Sequence, residues 1–264
     1  MAWPKWRRPH LSTDPAASAH WPQGVDCVVL DEVDSTMAEA RRRAPTITAP
    51  LWILANAQTA AHGRRGRAWA NPKGNFAATL VMPVSGPPAD WALRSFSMAI
   101  ALRYTLAMCV SPDSLTLKWP NDVLISGGKV AGILLETSGT PQQGQCLSIG
   151  VGVNLIKAPM PQDVEEGAFR PVAVAEHGTP HGPEDFLIWL ANHFATAEDQ
   201  FNTFGFDIIR KLWLRNAARL GEVITARTAR DQITGTFETV DAAGNLVLKT
   251  SKGVHAIPAA DVYF

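Results

Sequence analysis

Arg64, Arg65 and Arg67 stand beside Gly63 and Gly66 in the run from Gln58 to Trp69, QTAAHGRRGRAW. Glycine lets a backbone approach an anion closely and take positive φ. Guanidinium groups bind phosphate or carboxylate oxygens through charge-assisted, often bidentate hydrogen bonds. Trp69, closing the run, offers a flat face for a base or a seal for a pocket. This chemistry suits a phosphorylated or adenylated small molecule. A solvated basic turn or a non-specific nucleic-acid patch has the same composition, so the loop alone leaves those readings open.

A second segment, KWPNDVLISGGKVAGILLE from Lys118 to Glu136, adds two cations and two carboxylates. Lys118, Asn121, Asp122 and Lys129 all flank apolar stretches with strand character. Asn121-Asp122 is also good turn chemistry, and both lysines would serve equally as solvated strand ends.

Breakers and periodicity outline the elements that must position these groups. Strands are predicted at 51–55, 76–82, 115–119, 123–125, 130–136 and 147–153. Ser126-Gly127-Gly128-Lys129 is a tight hairpin signal, so Lys129 opens the returning strand. Gly150 and Gly152 interrupt an apolar strand, which predicts a bulge or a close approach. One helix is predicted at 37–43, with Thr36 and Glu39 as its capping box. An amphipathic core helix is predicted within 91–110, a third helix from Pro183, and a fourth over 206–218. Strands joined by short turns predict an α+β domain over 25–219, a mainly antiparallel or mixed sheet with helices packed on one face. Residues 1–24 read as a tail and 156–183 as irregular. Short alternating stretches at 222–227, 232–240, 246–249 and 253–257 predict a small β-barrel over 220–264 that leans on the first domain for its core.

Taken together, HGRRGRAW, KWPND, KVAGILLE, SIGVGVNL (148–155), EVDST (32–36) and Gln58 resemble the biotin protein ligases in order and spacing, over roughly residues 29–264. The resemblance implies the class II aminoacyl-tRNA-synthetase-like catalytic fold of biotin and lipoate ligases, followed by an SH3-like β-barrel. Gly235, Asp241, Gly244, Leu246 and Leu248 match that second unit. It also implies an enzyme that uses ATP and Mg2+ to turn biotin into biotinyl-5'-AMP. Biotin then passes to a lysine of a biotin carboxyl carrier protein domain of an acyl-CoA carboxylase. Both steps develop negative charge that fixed cations stabilise, and neither needs a covalent enzyme intermediate.

Carried onto this chain, the resemblance gives Ser35, Thr36 and Gln58 the ureido ring of biotin. His62, Gly63, Arg64 and Gly132 line the same pocket. Arg64, Arg67 and Lys129 hold the carboxylate–phosphate junction, with Lys129, Arg64 and Lys118 as the catalytic cations. Lys118 neutralises phosphate charge, while Asn121 and Asp122 support the nucleotide, Asp122 also its magnesium. Trp69 packs near adenine, and Asn154 lies beside the ribose or base. Each charged contact is worth roughly 1.5–3 kcal/mol. Two positions depart from the family pattern. Ala61-His62 stands where Gly-Arg is usual, and Met37 replaces a commonly polar residue.

Composition agrees with a soluble enzyme. The chain has 264 residues, 46% of them apolar, and a formal net charge of zero, so its basic character is local to the loop. The three cysteines, Cys27, Cys109 and Cys146, lack metal spacing and read as reduced core residues of a cytoplasmic protein. Arg94 and Arg103 interrupt the most apolar stretch, which argues against a membrane span. Only 34 residues precede Ser35, too few for the DNA-binding domain some family members carry, so no specific DNA binding is expected. The oligomeric state is left as a monomer or weak homodimer. Lipoate transfer, transcriptional regulation and passive biotin or nucleotide binding are the competing functions.

Overall fold

The computed structural model describes residues 21–140, 144–160, 169–228, 231–258 and 260–264. Residues 1–20 of the expected tail and 161–168 of the expected irregular stretch lie outside the described residues. Trp21, at the end of the supposed tail, instead packs against the core and donates Nε1 to the Val25 carbonyl at 2.6 Å.

Seven strands form one mixed sheet. They are β1 (Asp26–Val33), β2 (Leu51–Gln58), β3 (Phe76–Val84), β4 (Leu115–Lys118), β5 (Asp122–Ile125), β6 (Gly128–Thr140) and β7 (Gly144–Val153), in the order β1-β2-β3-β7-β6-β5-β4. Every strand predicted for this domain is present. β1 is an addition, and it pairs with β2 in parallel while all other ladders are antiparallel. A parallel pair needs a crossover, which helix α1 (Thr36–Arg43) supplies.

That crossover corrects the expectation of helices on one face. Helices α2 (Pro88–Ala92), α3 (Arg94–Leu106), α4 (Pro183–Phe204) and α5 (Phe206–Leu214) follow in the chain. α3, α4 and α5 stack on one side, where Trp52 meets Phe194 edge-on at 6.5 Å and Phe96 meets Phe206 and Trp213 at 5.1 and 5.4 Å. α1 lies on the opposite side, where Ala40 packs with Val28, Leu30, Ile53 and Val81 in a second apolar cluster. β1 and β2 are therefore buried on both faces, and their apolar runs do not alternate. α3 is not amphipathic either: Phe96 through Leu102 are buried without a break. α5 stops at Leu214 rather than 218, because the chain turns there to run beside β4. The Asn216 carbonyl accepts from Leu117 N, and the Leu117 carbonyl accepts from Ala218 N, both at 2.8 Å. Among the described residues no helix is long and apolar enough to cross a membrane.

The C-terminal unit is an antiparallel sheet of β8 (Val223–Arg227), β9 (Gln232–Val240), β10 (Leu246–Thr250), β11 (Gly253–Ile257) and β12 (Asp261–Tyr263), ordered β11-β10-β9-β8-β12. It is an open sheet and not the closed barrel expected, since three-residue β12 forms its ladder with β8 and none with β11. Its inward side chains, Ile224, Phe237, Leu246 and Val262 among them, join the same buried cluster as α3 and α5. Trp119 Nε1 donates across the junction to the Gly244 carbonyl at 3.0 Å.

Candidate active site

Every site residue predicted from the sequence lines one cavity of about 360 Å³ on the α1 face of the sheet. Strand register explains how distant residues meet there. Lys118 pairs with Asp122, Asp122 with Gly132, Gly132 with Gly152, and Gly152 with Ala77, one row crossing β4, β5, β6, β7 and β3. The row is charged at one end and almost without side chains at the other. Trp69 lies over its bare part: a Cβ on Gly152 would fall 2.5 Å from the indole Nε1, and one on Gly132 3.4 Å from Cζ3. Two residues back along β7, a Cβ on Gly150 would fall 2.8 Å from Met37 Sδ. Both glycines thus mark close approach, with no bulge in the β3–β7 or β6–β7 ladder.

Lys129 reaches this face through a real irregularity. The β5–β6 register shifts so that Val123 pairs with Ala131 but Leu124 pairs with Lys129, leaving Val130 as the extra residue. Val130 and Ala131 both enter the core, and Lys129 turns to the site side. The backbone is pinned there, with Lys129 N donating to the Arg170 carbonyl at 2.8 Å and Val172 N to the Lys129 carbonyl at 3.0 Å. The hairpin before it has Ser126 and Gly127 at φ 48° and 81°, the primed turn expected of a two-residue loop.

Asp122 is the hub of the charged end. Its Oδ1 lies 2.7 Å from Lys129 Nζ and its Oδ2 3.4 Å from Lys118 Nζ. Burial pushes the Asp122 carboxyl up, but Lys129 and then Lys118 outweigh it and hold the group below its usual range. Burial lowers Lys118 below the ordinary lysine value despite Asp122, and its ammonium also sits 4.7 Å from the Phe169 ring centroid. Both oxygens of Asp122, the carboxylate expected to support magnesium mostly through the phosphates, lie beside lysine ammonium groups. Among the described residues no cluster of three or more His, Cys, Asp or Glu side chains is placed to hold a metal ion.

The other end of the cavity is neutral and hydrogen-bonding. Ser35, not Thr36, caps α1, accepting from Met37 N at 3.2 Å. The capping box is corrected accordingly, since the Glu39 carboxylate turns to Arg42 and Arg43 at 2.8 and 2.7 Å. Thr36 is left to form a chain with β2 and β3. Its N and Oγ1 donate to Gln58 Oε1 at 2.8 and 3.2 Å, and Thr79 Oγ1 donates to Thr36 Oγ1 at 2.8 Å. His62 points to Glu136, with Nε2 3.4 Å from Oε1, and Arg41 takes the other oxygen at 2.8 Å. Asn121 and Asn154 each commit an amide donor to backbone, to the Ile133 carbonyl and to the Val172 carbonyl.

The arginine loop is a narrow hairpin. Gly63 N donates to the Arg67 carbonyl at 2.7 Å and Trp69 N to the Ala61 carbonyl at 3.0 Å. Arg64 and Arg67 face the cavity. Their counter-charge is a residue that sequence reasoning missed, Asp261 on β12, which lines the same cavity. Nothing in the linear spacing marks it, since it lies 196 positions from Arg65 in another sheet. Among the described residues lining the cavity, the cations Arg64, Arg67, Lys118 and Lys129 outnumber the carboxylates Asp122 and Asp261, a balance suited to a polyanion.

Known proteins similar to this chain include biotin protein ligases. Residues 29–154 match the Biotin/lipoate A/B protein ligase family, and residues 220–264 match the Biotin protein ligase C terminal domain. A biotin–[acetyl-CoA-carboxylase] ligase of Paracoccus denitrificans is 48% identical over 238 residues, covering 89% of this chain and 99% of that one. The chain belongs to the biotin protein ligases. Other biotin protein ligases agree. The bifunctional ligase/repressor of Bacillus subtilis is 28% identical over 89% of this chain and 71% of its own length. The Aquifex aeolicus biotin protein ligase in complex with biotin and ATP shares the fold, with a TM-score of 0.73 at 21% identity over 90% of this chain and 97% of that one. Within this biotin protein ligase, both departures from the family pattern now have neighbours: His62 engages Glu136, and Met37 fills the space above Gly150.

Proposed function

We propose that this protein joins biotin to the AMP moiety of ATP, supplied as its magnesium complex, and then transfers biotin to a lysine of the biotin carrier domain of acetyl-CoA carboxylase. In the first step a biotin carboxylate oxygen attacks the α-phosphorus. The new O–P bond forms as the α–β phosphoanhydride breaks and pyrophosphate leaves. In the second, the acceptor lysine's neutral amine attacks the acyl carbon. A C–N bond forms, AMP departs with the electron pair, and the amine loses its proton.

The observation that carries this reading is the polarity of one continuous cavity, with a neutral pocket at Ser35, Thr36 and Gln58 and cations at the other end. A ureido ring needs donors and acceptors without net charge, and the carboxylate–phosphate junction needs charge held in place. Lys129 and Arg64 are assigned to that junction, Lys118 and Arg67 to the phosphates, and Trp69 to the base. Asn121 and Asn154 are assigned to bracing the strands around the nucleotide. Magnesium is assigned to the phosphates, since Asp122 is already doubly compensated.

Calorimetric titration with biotin, lipoate, and then biotin plus magnesium-ATP tests the proposal, with pyrophosphate release monitored. Biotin binding followed by pyrophosphate release is the expected outcome. Binding without release would reduce the protein to a sensor, and a response to lipoate alone would move it to the other branch of its family. Operator-specific DNA binding forms no part of the proposed activity, and a gel shift at physiological salt checks that.

A further inference from the structure

Arg65 belongs to the arginine loop but does not line the cavity. Its backbone sits at φ 57°, ψ 26°, a left-handed conformation that disfavours residues with a Cβ. Glycine would adopt it without strain, yet the position carries a long cation. That cation reaches out of the first domain and places Nη1 2.6 Å from Asp261 Oδ2. The same carboxylate lies 3.3 Å from Arg67 Nη2 and 3.8 Å from Arg64 Nη1. Asp261 is largely buried, its side chain 17% exposed, on a strand anchored by the β8 ladder.

The geometry points to a latch. We propose that the Arg65–Asp261 pair fastens the arginine loop to the C-terminal sheet, and that Asp261 is a positioning residue for nucleotide binding. The tightest of its contacts goes to the arginine that does not line the cavity, and the longer ones to the two that do. Arg65 therefore fixes the carboxylate, and the carboxylate sets where Arg64 and Arg67 present their guanidiniums. Asp261 is the charge that the C-terminal sheet contributes to the cavity lining, beside Val262 and Tyr263. The nucleotide half of this inference rests on the ligase reading above, while the latch itself does not.

Asp261→Asn, Asp261→Glu, Arg65→Gln and the double variant Arg65→Gln/Asp261→Asn test it in the full chain. Hydrogen exchange of residues 61–69 without ligands should quicken about fivefold in Asp261→Asn and in Arg65→Gln, as for loss of a partly exposed ion pair. The double variant should be no faster than either single one, because both remove the same contact. The KM for ATP should rise about fivefold in the same variants, with the KM for biotin and the melting temperature unchanged, and Asp261→Glu should recover most of the loss. Unchanged exchange in both single variants, or additive effects in the double one, would overturn the latch. A rise in both KM values together would overturn the positioning role. If the wild-type protein released no pyrophosphate, the ligase reading would fall, and the exchange data would still decide the latch.

Discussion

Lys129 Nζ lies 2.7 Å from Asp122 Oδ1 because Val130 is an extra residue in β6, between Lys129 and Gly132, the ladder partner of Asp122. In a regular ladder Lys129 would share the face of Ala131 and point into the core. The bulge reverses it and sets its ammonium beside the bare glycine row and 5.7 Å from the Trp69 ring centroid. A strand irregularity thus aims the cation given the central role in the chemistry.

Lys129→Ala should lower the rate of biotin-dependent pyrophosphate release about a hundredfold, the usual cost of removing one fixed charge from a developing anion. Biotin binding by calorimetry should change far less. Equal turnover in the variant would remove Lys129 from the mechanism.

Lys118 carries a dependence on pH. Burial lowers it below the ordinary 10.5, so the unfolded chain keeps its proton to higher pH than the folded protein does. The unfolded state then binds more protons across the interval from the folded value up to 10.5, and this group's contribution to stability rises with pH there. Lys118→Met should abolish that rise in a series of chemical denaturation curves. It should also weaken ATP binding about tenfold through loss of a charge-assisted contact.

Gly152→Ala should disturb the site without disturbing the fold. The new methyl would meet the Trp69 indole at 2.5 Å, so the ring must move. We expect the KM for ATP to rise about tenfold, of the order of the 1–3 kcal/mol that overpacking costs. Trp69→Ala removes the clash, so Gly152→Ala/Trp69→Ala should be no worse than Trp69→Ala alone. A double variant much worse than that would show that Gly152 matters for another reason.

His62→Arg restores the residue usual in the family. Because the imidazole is directed at Glu136, an arginine there can keep the same partner. The KM for biotin should stay within about twofold, as for a rim contact of small net energy. A large change in steady-state assays would give His62 a direct part in the biotin pocket.

Much of this protein is determined by local sequence. Alternation, turn residues and helix signals placed six of the seven main strands and four helices, because these depend on neighbours a few residues apart. Many of the residues that meet in the cavity stood out as well, since HGRRGRAW and KWPND each concentrate charged and aromatic groups in one short run. Tertiary structure alone decided the rest. α1 covers the face opposite the other helices because β1 and β2 pair in parallel, and parallel pairing is a non-local choice. Ser35 displaced Thr36 as the cap because Gln58 and Thr79, strands away, took up the Thr36 hydroxyl. The bulge at Val130 depends on what β5 presents across the ladder, and the Asp261 counter-charge on where a second sheet comes to rest. Charges find partners through space, and no spacing along the chain encodes a contact between Arg65 and Asp261.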